Sequence, residues 1–309
     1  MRALVKTESS LKLTEHPRPR PGAGEVLVKV MCAGLCRTDL YLARGQLPLE
    51  SPRVLGHECA GVVCQLGPDV DQDKLGARVA VFPWLACRGC EFCLSEQEKL
   101  GYLCPNRRFL GWHRDGCFAE YLSVPVDRCF SLPEKLSFRA GAYLEPLTAA
   151  LGLLKSPVRQ AESVAILGDN RIAQLSSILL THLAKVEYES LSIAEGPSNK
   201  FDLVVETEAS EKSLTRALES LRPGGVLVLK SKPAENVLWP LRLQVEKDIK
   251  TFAVSYGSLQ MAMMVLSNRA SLFEHVWREP VPLSQWHGEF EKAWAGDEKS
   301  KCFFSPQET

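Results

Sequence analysis

Short runs of apolar residues, separated by glycine and proline turns, dominate the first 135 positions of the chain. β-Branched or aromatic residues fill each run, a pattern that is typical of strands. The runs that show this pattern are Glu25–Val30, Gly61–Cys64, Arg78–Phe82 and Phe118–Leu122. Many short strands with such corners predict a barrel or a sandwich and not a helical bundle.

The pattern changes near residue 136. Two alanine- and leucine-rich segments predict helices over Phe138–Leu144 and Leu147–Leu154, with a break at Pro146. The continuous apolar run Ser163–Gly168 suits a strand that is buried on both faces of a parallel sheet. Helical and strand-like segments then alternate at Ile172–Ala184, Phe201–Glu206, Leu214–Leu221 and Val226–Leu229. This alternation predicts an α/β domain.

The hydrophobic pattern therefore divides the 309 residues into two domains, as the length also favours. A β-rich domain is predicted over residues 1–150, and the C-terminal residues 276–309 are expected to complete it. A parallel-sheet domain is predicted over residues 151–275. Because only one helix and one strand fit between Gly168 and Phe201, this second domain is predicted to be shorter than the usual dinucleotide-binding fold.

Charge and composition narrow the choice of partners. The sequence contains 37 basic and 37 acidic residues, and this balance argues against nucleic acid or an anionic membrane as a partner. We therefore expect a small-molecule substrate. No apolar run approaches the roughly 18 residues of a membrane span, and the N-terminus lacks the apolar segment of a signal peptide. These features predict a cytoplasmic protein.

Four of the eleven cysteines form the most specific motif in the chain. Cys87, Cys90 and Cys93 are separated by two residues each, and Cys104 follows. Two-residue spacers allow successive thiolates to turn back on one ion, and a fourth thiolate closes a tetrahedral shell. We interpret the motif as a structural zinc site. The alternatives are an iron–sulfur cluster and buried thiols without a metal.

A second set of candidate ligands is spread along the chain. Cys36, His57, Glu58 and Glu145 offer a thiolate, an imidazole and two carboxylates. This mixture suits Zn²⁺, and a tetrahedral site of this kind can leave one position open for water or substrate. Each residue alone also has an ordinary alternative role, as a buried thiol or as a satisfied polar group.

These residues and their surroundings resemble the zinc-dependent medium-chain alcohol dehydrogenases, in particular the polyol, glucose and threonine dehydrogenases. The resemblance spans most of the chain, and its motifs occur in the order found in that family. Besides the four-cysteine motif, it rests on the segments Cys32–Asp39, Gly56–Glu58, Asp115–Tyr121, Leu144–Leu147 and Arg222–Gly225.

The resemblance implies a GroES-like β-barrel, a Rossmann-like cofactor domain and a catalytic zinc in the cleft between them. It implies that Cys36 and His57 bind this zinc, and that Glu58 and Glu145 ligate it or exchange with its water. Thr38 takes the position whose hydroxyl receives the substrate proton, with a capping or strand hydroxyl as the alternative. The zinc would act as a Lewis acid for hydride transfer between an alcohol and NAD or NADP. A homodimer or homotetramer is also implied.

The predicted cofactor turn departs from the pattern of that family. Residues 168–173 read GDNRIA in place of Gly-x-Gly-x-x-Gly. Gly168 is kept and Ala173 is a tolerated third residue, but Asn170 replaces the glycine that lets the backbone approach the diphosphate. Asp169 places a negative charge beside that anion. The candidate cofactor-binding residues are therefore Gly168, Asn170 and Ala173, in a turn that matches the dinucleotide-binding motif only in part.

The leading hypothesis is a zinc-dependent oxidoreductase that transfers hydride between NAD(P) and a secondary alcohol, a polyol or a related carbonyl compound. The altered turn and the short second domain support two alternatives. One is a zinc enzyme of the lyase, isomerase or hydrolase type that uses no nicotinamide. The other is a scaffold that keeps zinc only to fold.

Overall fold

The computed structural model describes residues 1–95, 101–296 and 299–307. The chain divides into two compact units, the first comprising Met1–Pro146 with Ala262–Thr309 and the second comprising Leu147–Met261. The predicted second domain, residues 151–275, overlaps the second unit. None of the helices in the described residues combines the length and the hydropathy of a membrane-spanning segment.

Strands and helices have the following bounds. In chain order the strands are β1 (Arg2–Lys6), β2 (Leu11–Glu15), β3 (Glu25–Gly34), β4 (Arg53–Val54), β5 (Glu58–Leu66), β6 (Arg78–Val81), β7 (Trp84–Leu85), β8 (Arg108–Phe109), β9 (Tyr121–Pro125), β10 (Cys129–Ser131), β11 (Val164–Leu167), β12 (Glu189–Leu191), β13 (Phe201–Glu206), β14 (Leu221–Leu229), β15 (Lys250–Ala253), β16 (Val281–Pro282) and β17 (Phe303–Ser305). The helices are α1 (Arg37–Ala43), α2 (Glu91–Ser95), α3 (Phe138–Ala142), α4 (Leu144–Ala150), α5 (Arg171–Leu179), α6 (Glu211–Ser220), α7 (Leu241–Glu246), α8 (Leu259–Arg269) and α9 (Trp286–Trp294).

Strand β3 lies at the centre of the first unit. It pairs antiparallel with β5, β9 and β17, in a sheet of order β10-β6-β5-β3-β17-β16 to which β9 adds through β3. Val26, Val28 and Val30 of β3 are fully buried, which explains the strand pattern in the sequence. The C-terminal strand β17 thus lies in the sheet of the first unit, next to the end of β3 from which α1 begins.

The second unit contains a sheet of five parallel strands in the order β12-β11-β13-β14-β15. Every residue of β11 and β13 is buried, as expected for strands that are covered on both faces. Helix α5 follows β11, and helix α6 follows β13. Among the described residues this sheet ends at β12, whereas the usual dinucleotide-binding sheet has six strands. The truncated Rossmann-like sheet is therefore as predicted.

Two predicted element boundaries are wrong. The helix break predicted at Pro146 lies at Tyr143, the C-terminal cap of α3, and Pro146 occupies the first turn of α4. Proline is tolerated there because N–H groups in a first turn have no partner within the helix. The strand predicted over Phe118–Leu122 begins only at Tyr121. Before that point, the chain makes an isolated bridge between Ala3 and Ala119.

Candidate functional site

The carboxylate of Asp39 joins the two segments that carry the predicted ligands of the first unit. It accepts hydrogen bonds from the backbone N–H of Cys36 at 3.0 Å and of Gly56 at 3.2 Å. Cys36 is the N-cap of α1, so the first contact closes the first turn of that helix. Gly56 has a φ of +93°, and a Cβ there would overlap Phe118. Only glycine fits this turn, and the turn places the next residue, His57, beside Asp39.

His57 is oriented by the same carboxylate. Its Nδ1 lies 3.1 Å from Oδ1 of Asp39, and both side chains are buried. Burial alone would lower the pKa of His57, but the Asp39 carboxylate and the Cys36 sulfur outweigh it and raise the pKa well above 6.5. The negative electrostatic potential that favours the protonated imidazolium of His57 also favours a bound metal cation. When Nδ1–H donates a hydrogen bond to Asp39, Nε2 carries no proton and its lone pair is available to a metal.

Cys36, His57 and Glu58 form one group of candidate ligands. One sulfur, one nitrogen and one carboxylate oxygen of these residues all lie within 4.8 Å of one another. His57 and Glu58 are buried, while Cys36 is half-buried. This donor set fits zinc, and three protein ligands leave a fourth position for water or substrate.

The Glu58 carboxylate also forms a buried ion pair with Lys301 of the C-terminal segment. The relative exposure is 1% for Glu58 and 5% for Lys301. Nζ of Lys301 also donates to the carbonyl of Leu35 at 2.9 Å. A Cβ at Gly34 would overlap both charged side chains, so that glycine makes room for the pair. Glu58 therefore has two candidate partners, Lys301 and a metal bound beside Cys36 and His57.

Two further predicted site residues lie outside this group of ligands. Thr38 is half-buried in the first turn of α1, two residues after Cys36. Glu145 is buried in the first turn of α4, and its carboxylate is not among the atoms that lie within 4.8 Å of one another. The roles of Thr38 in proton transfer and of Glu145 at the metal stay predictions.

The sulfurs of Cys87, Cys90, Cys93 and Cys104 form a second group. The Sγ of Cys93 lies 3.4 Å from that of Cys90 and 3.8 Å from that of Cys87, and the Cys90 to Cys104 distance is 3.8 Å. A tetrahedral site with zinc–sulfur bonds of about 2.3 Å places its sulfurs about 3.8 Å apart. The four sulfurs thus fit one zinc ion, and they lie too close together to enclose a cluster of several irons.

The pKa values of two of these thiols, Cys87 and Cys93, are shifted in opposite directions. A hydrogen bond from the backbone N–H of Gly89, followed by one from Cys104, lowers the pKa of Cys87 to about 6. Burial and the neighbouring sulfurs raise the pKa of Cys93 to about 12. One thiolate is therefore stable in this loop, but four adjacent thiolates repel one another unless a cation lies between them. A closed shell of four ligands would make this metal structural.

In the second unit, the candidate cofactor turn begins at Gly168, directly after β11. The φ of Gly168 is +116°, and a Cβ there would overlap the side chains of Thr207 and Glu208. This glycine is thus required because the loop after β13 packs closely against the turn. That packing accounts for Gly168 without any ligand.

Asn170 caps helix α5 with its own side chain. Its Oδ1 accepts hydrogen bonds from the backbone N–H of Ile172 at 2.8 Å and of Ala173 at 3.1 Å. Its Nδ2 donates to the carbonyl of Thr207 at 2.8 Å. The side chain therefore folds back onto the helix and occupies two of the N–H groups at its N-terminus.

A dinucleotide would need those same N–H groups for its diphosphate. Asn170 occupies the N–H groups of Ile172 and Ala173, and the N–H of Asp169 donates to Oε1 of Glu208 at 3.3 Å. The turn has the right place in the fold, at the carboxyl end of a parallel strand. In the arrangement described here, however, it does not accept a diphosphate until its own side chains move.

Three residues that shape these sites have no role in the sequence-based prediction. Asp39 follows Cys36 by three residues, about one helical turn. An acid at that spacing from a candidate metal ligand could have indicated a residue that orients the ligands. Lys301 directly precedes the apolar residues 302–304, but Lys299 lies two residues before it, so the local sequence identifies neither which lysine is buried nor its partner. Glu208 follows a buried strand by two residues, and nothing in the local pattern indicates its contact with residue 169.

We expect Asp39→Asn to lower the zinc affinity of the Cys36 group, or the activity that depends on it, by about 10- to 100-fold, because the change removes the charge that orients His57. Competition with a chromophoric chelator measures the affinity. Asp73→Asn is the control, because the side chain of Asp73 is 68% exposed and pairs only with Lys74 among the ion pairs of the described residues. Equal zinc affinity of the Asp39 and Asp73 variants would contradict the positioning role.

Comparison with known proteins identifies the family of the first unit. Residues 22–134 match the family model of the alcohol dehydrogenase GroES-like domain. Sorbitol dehydrogenase of Bacillus subtilis strain 168 is 30% identical over 269 residues, which cover 76% of this chain and 75% of that relative. An alcohol dehydrogenase of Geobacillus stearothermophilus is 29% identical over 280 residues, which cover 80% of this chain and 82% of the relative.

Solved structures agree with the fold along the whole chain. The short chain alcohol dehydrogenase of Escherichia coli CFT073, complexed with NADH, superposes with a TM-score of 0.87. The superposition covers 99% of this chain and 99% of that structure, at 23% sequence identity. At this identity the likeness shows a shared fold, which includes the parallel-sheet unit.

Proposed function

Because this chain belongs to the zinc-type medium-chain alcohol and polyol dehydrogenase family, we propose that it is a zinc-dependent oxidoreductase that transfers hydride between NAD(P) and a secondary alcohol, a polyol or a related carbonyl compound. Relatives named as alcohol, sorbitol and L-threonine 3-dehydrogenases favour this class of reaction over the two alternatives. Those alternatives are a zinc enzyme without redox chemistry and a scaffold.

The observation that carries this proposal is the group formed by Cys36, His57 and Glu58. A metal held only to stabilise a fold is best held by a closed shell of four ligands, as the four-cysteine group provides. The Cys36 group contains three donors, and Asp39 orients His57 through a buried contact. An incomplete donor set with an oriented imidazole is the arrangement that a catalytic zinc requires.

The side chains of the first unit would divide the work as follows. Cys36 and His57 would hold the zinc, while Glu58 would alternate between the metal and Lys301. The bound zinc supplies Lewis acidity that lowers the pKa of the substrate hydroxyl, and a nicotinamide supplies the hydride acceptor. Thr38 lies two residues after Cys36 in the same helical turn, so its hydroxyl is the candidate to receive the proton of the substrate. Glu145 stays a candidate further ligand.

The proposal is tested with zinc-loaded protein and a panel of secondary alcohols, polyols and ketones, each assayed at 340 nm with NAD⁺ or NADP⁺, or with the reduced forms. We expect an absorbance change with at least one pair of substrate and cofactor, and no change after zinc is removed. Conversion of a panel substrate without any dinucleotide would instead support the zinc enzyme that uses no nicotinamide. No conversion of any kind would contradict the proposal.

A homodimer is the proposed oligomeric state, formed through the edge strand β15. Strand β15 pairs with β14 alone among the described strands, so its other edge offers unpaired backbone groups to a second copy of the chain. Exposed apolar side chains occur on and just before this strand. They are Leu238, Leu241, Val245 and Phe252, with relative exposures of 72%, 61%, 70% and 36%.

If this surface joins two copies, Val245→Glu should convert the protein from a dimer into a monomer, because a carboxylate would be buried at the interface. Light scattering coupled to size-exclusion chromatography would report a fall from twice the chain mass to the 34.3 kDa of one chain. The control is Met264→Glu, an exposed apolar position on α8. A dimer that persists in the Val245 variant would contradict this interface.

A reducing compartment, such as the cytoplasm, is the proposed location. All eleven cysteines are free thiols, and four of them form the candidate zinc group. Free thiols in this number persist in compartments whose reductants prevent disulfide formation.

A further inference from the structure

An acidic side chain of the second unit contacts the predicted cofactor turn. Oε1 of Glu208 accepts hydrogen bonds from the backbone N–H of Asp169 at 3.3 Å and from Nδ2 of Asn170 at 2.9 Å. This carboxylate therefore lies at the N-terminus of α5. A negative charge is stabilised there by the N–H groups and by the helix dipole, which are the features that bind a phosphate.

The backbone of Glu208 is fixed by its own loop. Glu206 is fully buried and accepts hydrogen bonds from the N–H groups of Glu208 at 2.8 Å and Ala209 at 2.7 Å, and from the hydroxyl of Ser213 at 2.7 Å. Ala209 has a φ of +55°, which is unusual for alanine and marks a tightly constrained turn. The loop therefore presents the side chain of Glu208 to the cofactor turn, while that side chain is itself only half-buried.

We propose that Glu208 is an internal competitor of the dinucleotide, with its carboxylate occupying the diphosphate position until it rotates away. This inference rests on the proposed function, because it concerns the same cofactor site. The half-buried side chain can rotate into solvent, whereas its backbone cannot move without breaking the contacts to Glu206. Cofactor binding thus requires loss of the two hydrogen bonds that Glu208 accepts. The affinity for the dinucleotide is therefore lower than it would be without the Glu208 carboxylate.

Two substitutions separate the contributions of charge and of occupancy. Glu208→Gln keeps the shape and one hydrogen-bonding oxygen but removes the negative charge. Glu208→Ala removes the carboxylate altogether and leaves the Asn170 cap in place. The matched control is Glu211→Gln, because Glu211 is an exposed acid in the first turn of α6 and has no contact with the turn at Gly168 among those identified in the described residues.

The experiment is a calorimetric titration of zinc-loaded protein with NAD⁺, NADP⁺ and ADP-ribose, which keeps the diphosphate but lacks the nicotinamide. We expect Glu208→Ala to bind all three ligands at least about tenfold more tightly than the unmodified protein, a difference of about 1.4 kcal/mol. Glu208→Gln should lie between the two, and Glu211→Gln should stay within about twofold of the unmodified protein.

Several results would overturn the inference. Thermal unfolding of Glu208→Ala is compared with that of the unmodified protein first. If this variant is unfolded, the isosteric Glu208→Gln decides, with at least threefold tighter binding required. Equal or weaker binding by the deciding variant overturns the inference, and so does the absence of binding in every variant. A comparable gain in Glu211→Gln also overturns it, since the effect would then be general electrostatics.

The outcome is distinguishable from a failure of the proposed function. Turnover at 340 nm by the unmodified protein, together with unchanged binding in Glu208→Ala, would leave the function standing and remove only the competitor. Tight dinucleotide binding by Glu208→Ala, without turnover of any alcohol or carbonyl compound, would leave the competitor standing and remove the function.

Discussion

Replacement of Lys301 by methionine is expected to lower the free energy of unfolding by about 3–5 kcal/mol, because Glu58 would then be buried without its cation. Methionine fills a similar volume, so the loss would reflect charge more than packing. A metal at the Cys36 group would also compensate Glu58. Both the parent and the variant therefore carry Cys36→Ser, and urea unfolding in the presence of zinc measures the difference.

The double substitution Glu58→Gln with Lys301→Met tests the cause of that loss. Removal of both charges leaves no buried unpaired ion, so the double variant should lose less than half as much stability as Lys301→Met alone. A Lys301→Met variant within about 1 kcal/mol of its parent would contradict the ion pair as a stabilising contact. So would a double variant whose loss equals the sum of the two single losses.

Cys36→Ser is expected to reduce the bound zinc from two ions to one ion per chain and to lower kcat/KM by about 10³-fold or more. The loss corresponds to about 4 kcal/mol of transition-state stabilisation, the several kcal/mol that a Lewis acid supplies. The four-cysteine group should keep its zinc, because its ligands lie elsewhere in the first unit. Elemental analysis by mass spectrometry and initial rates at 340 nm provide the two measurements.

Cys64→Ser is the matched control for that variant. Cys64 lies on β5. Within the described residues, its thiol donates one hydrogen bond, to the carbonyl of Leu27 at 3.4 Å. The control should keep both zinc ions and full activity. Retention of two zinc ions by Cys36→Ser, or unchanged activity after the loss of one, would show that Cys36 does not hold a catalytic metal.

The fold was predictable where the burial pattern is simple. Strands β11 and β13 are buried on both faces, so their sequences are continuous apolar runs that a parallel sheet explains. The position of Pro146 was misjudged because proline is compatible with a first helical turn as well as with a break. Local sequence does not distinguish those cases, and the packing that selects one of them is tertiary.

The candidate site was predictable in its ligand types but not in its supporting contacts. Cys36 and His57 are residue types that bind zinc, and the four cysteines have a spacing that few other roles require. The contacts made by Asp39, Lys301 and Glu208 join residues that are distant in the chain or have many other possible partners. Their effects depend on burial and distance, and sequence alone specifies neither.

The hydride transfer itself can be measured directly with an alcohol that carries deuterium on its carbinol carbon. Zinc-loaded protein is incubated with a substrate found in the panel and with NAD⁺ or NADP⁺, and the reduced dinucleotide is analysed by mass spectrometry. The proposed function predicts a reduced dinucleotide heavier by one mass unit, together with one equivalent of ketone and one proton. Product that forms without any reduced dinucleotide, or a reduced dinucleotide that carries no deuterium, would contradict direct transfer and with it the proposed reaction.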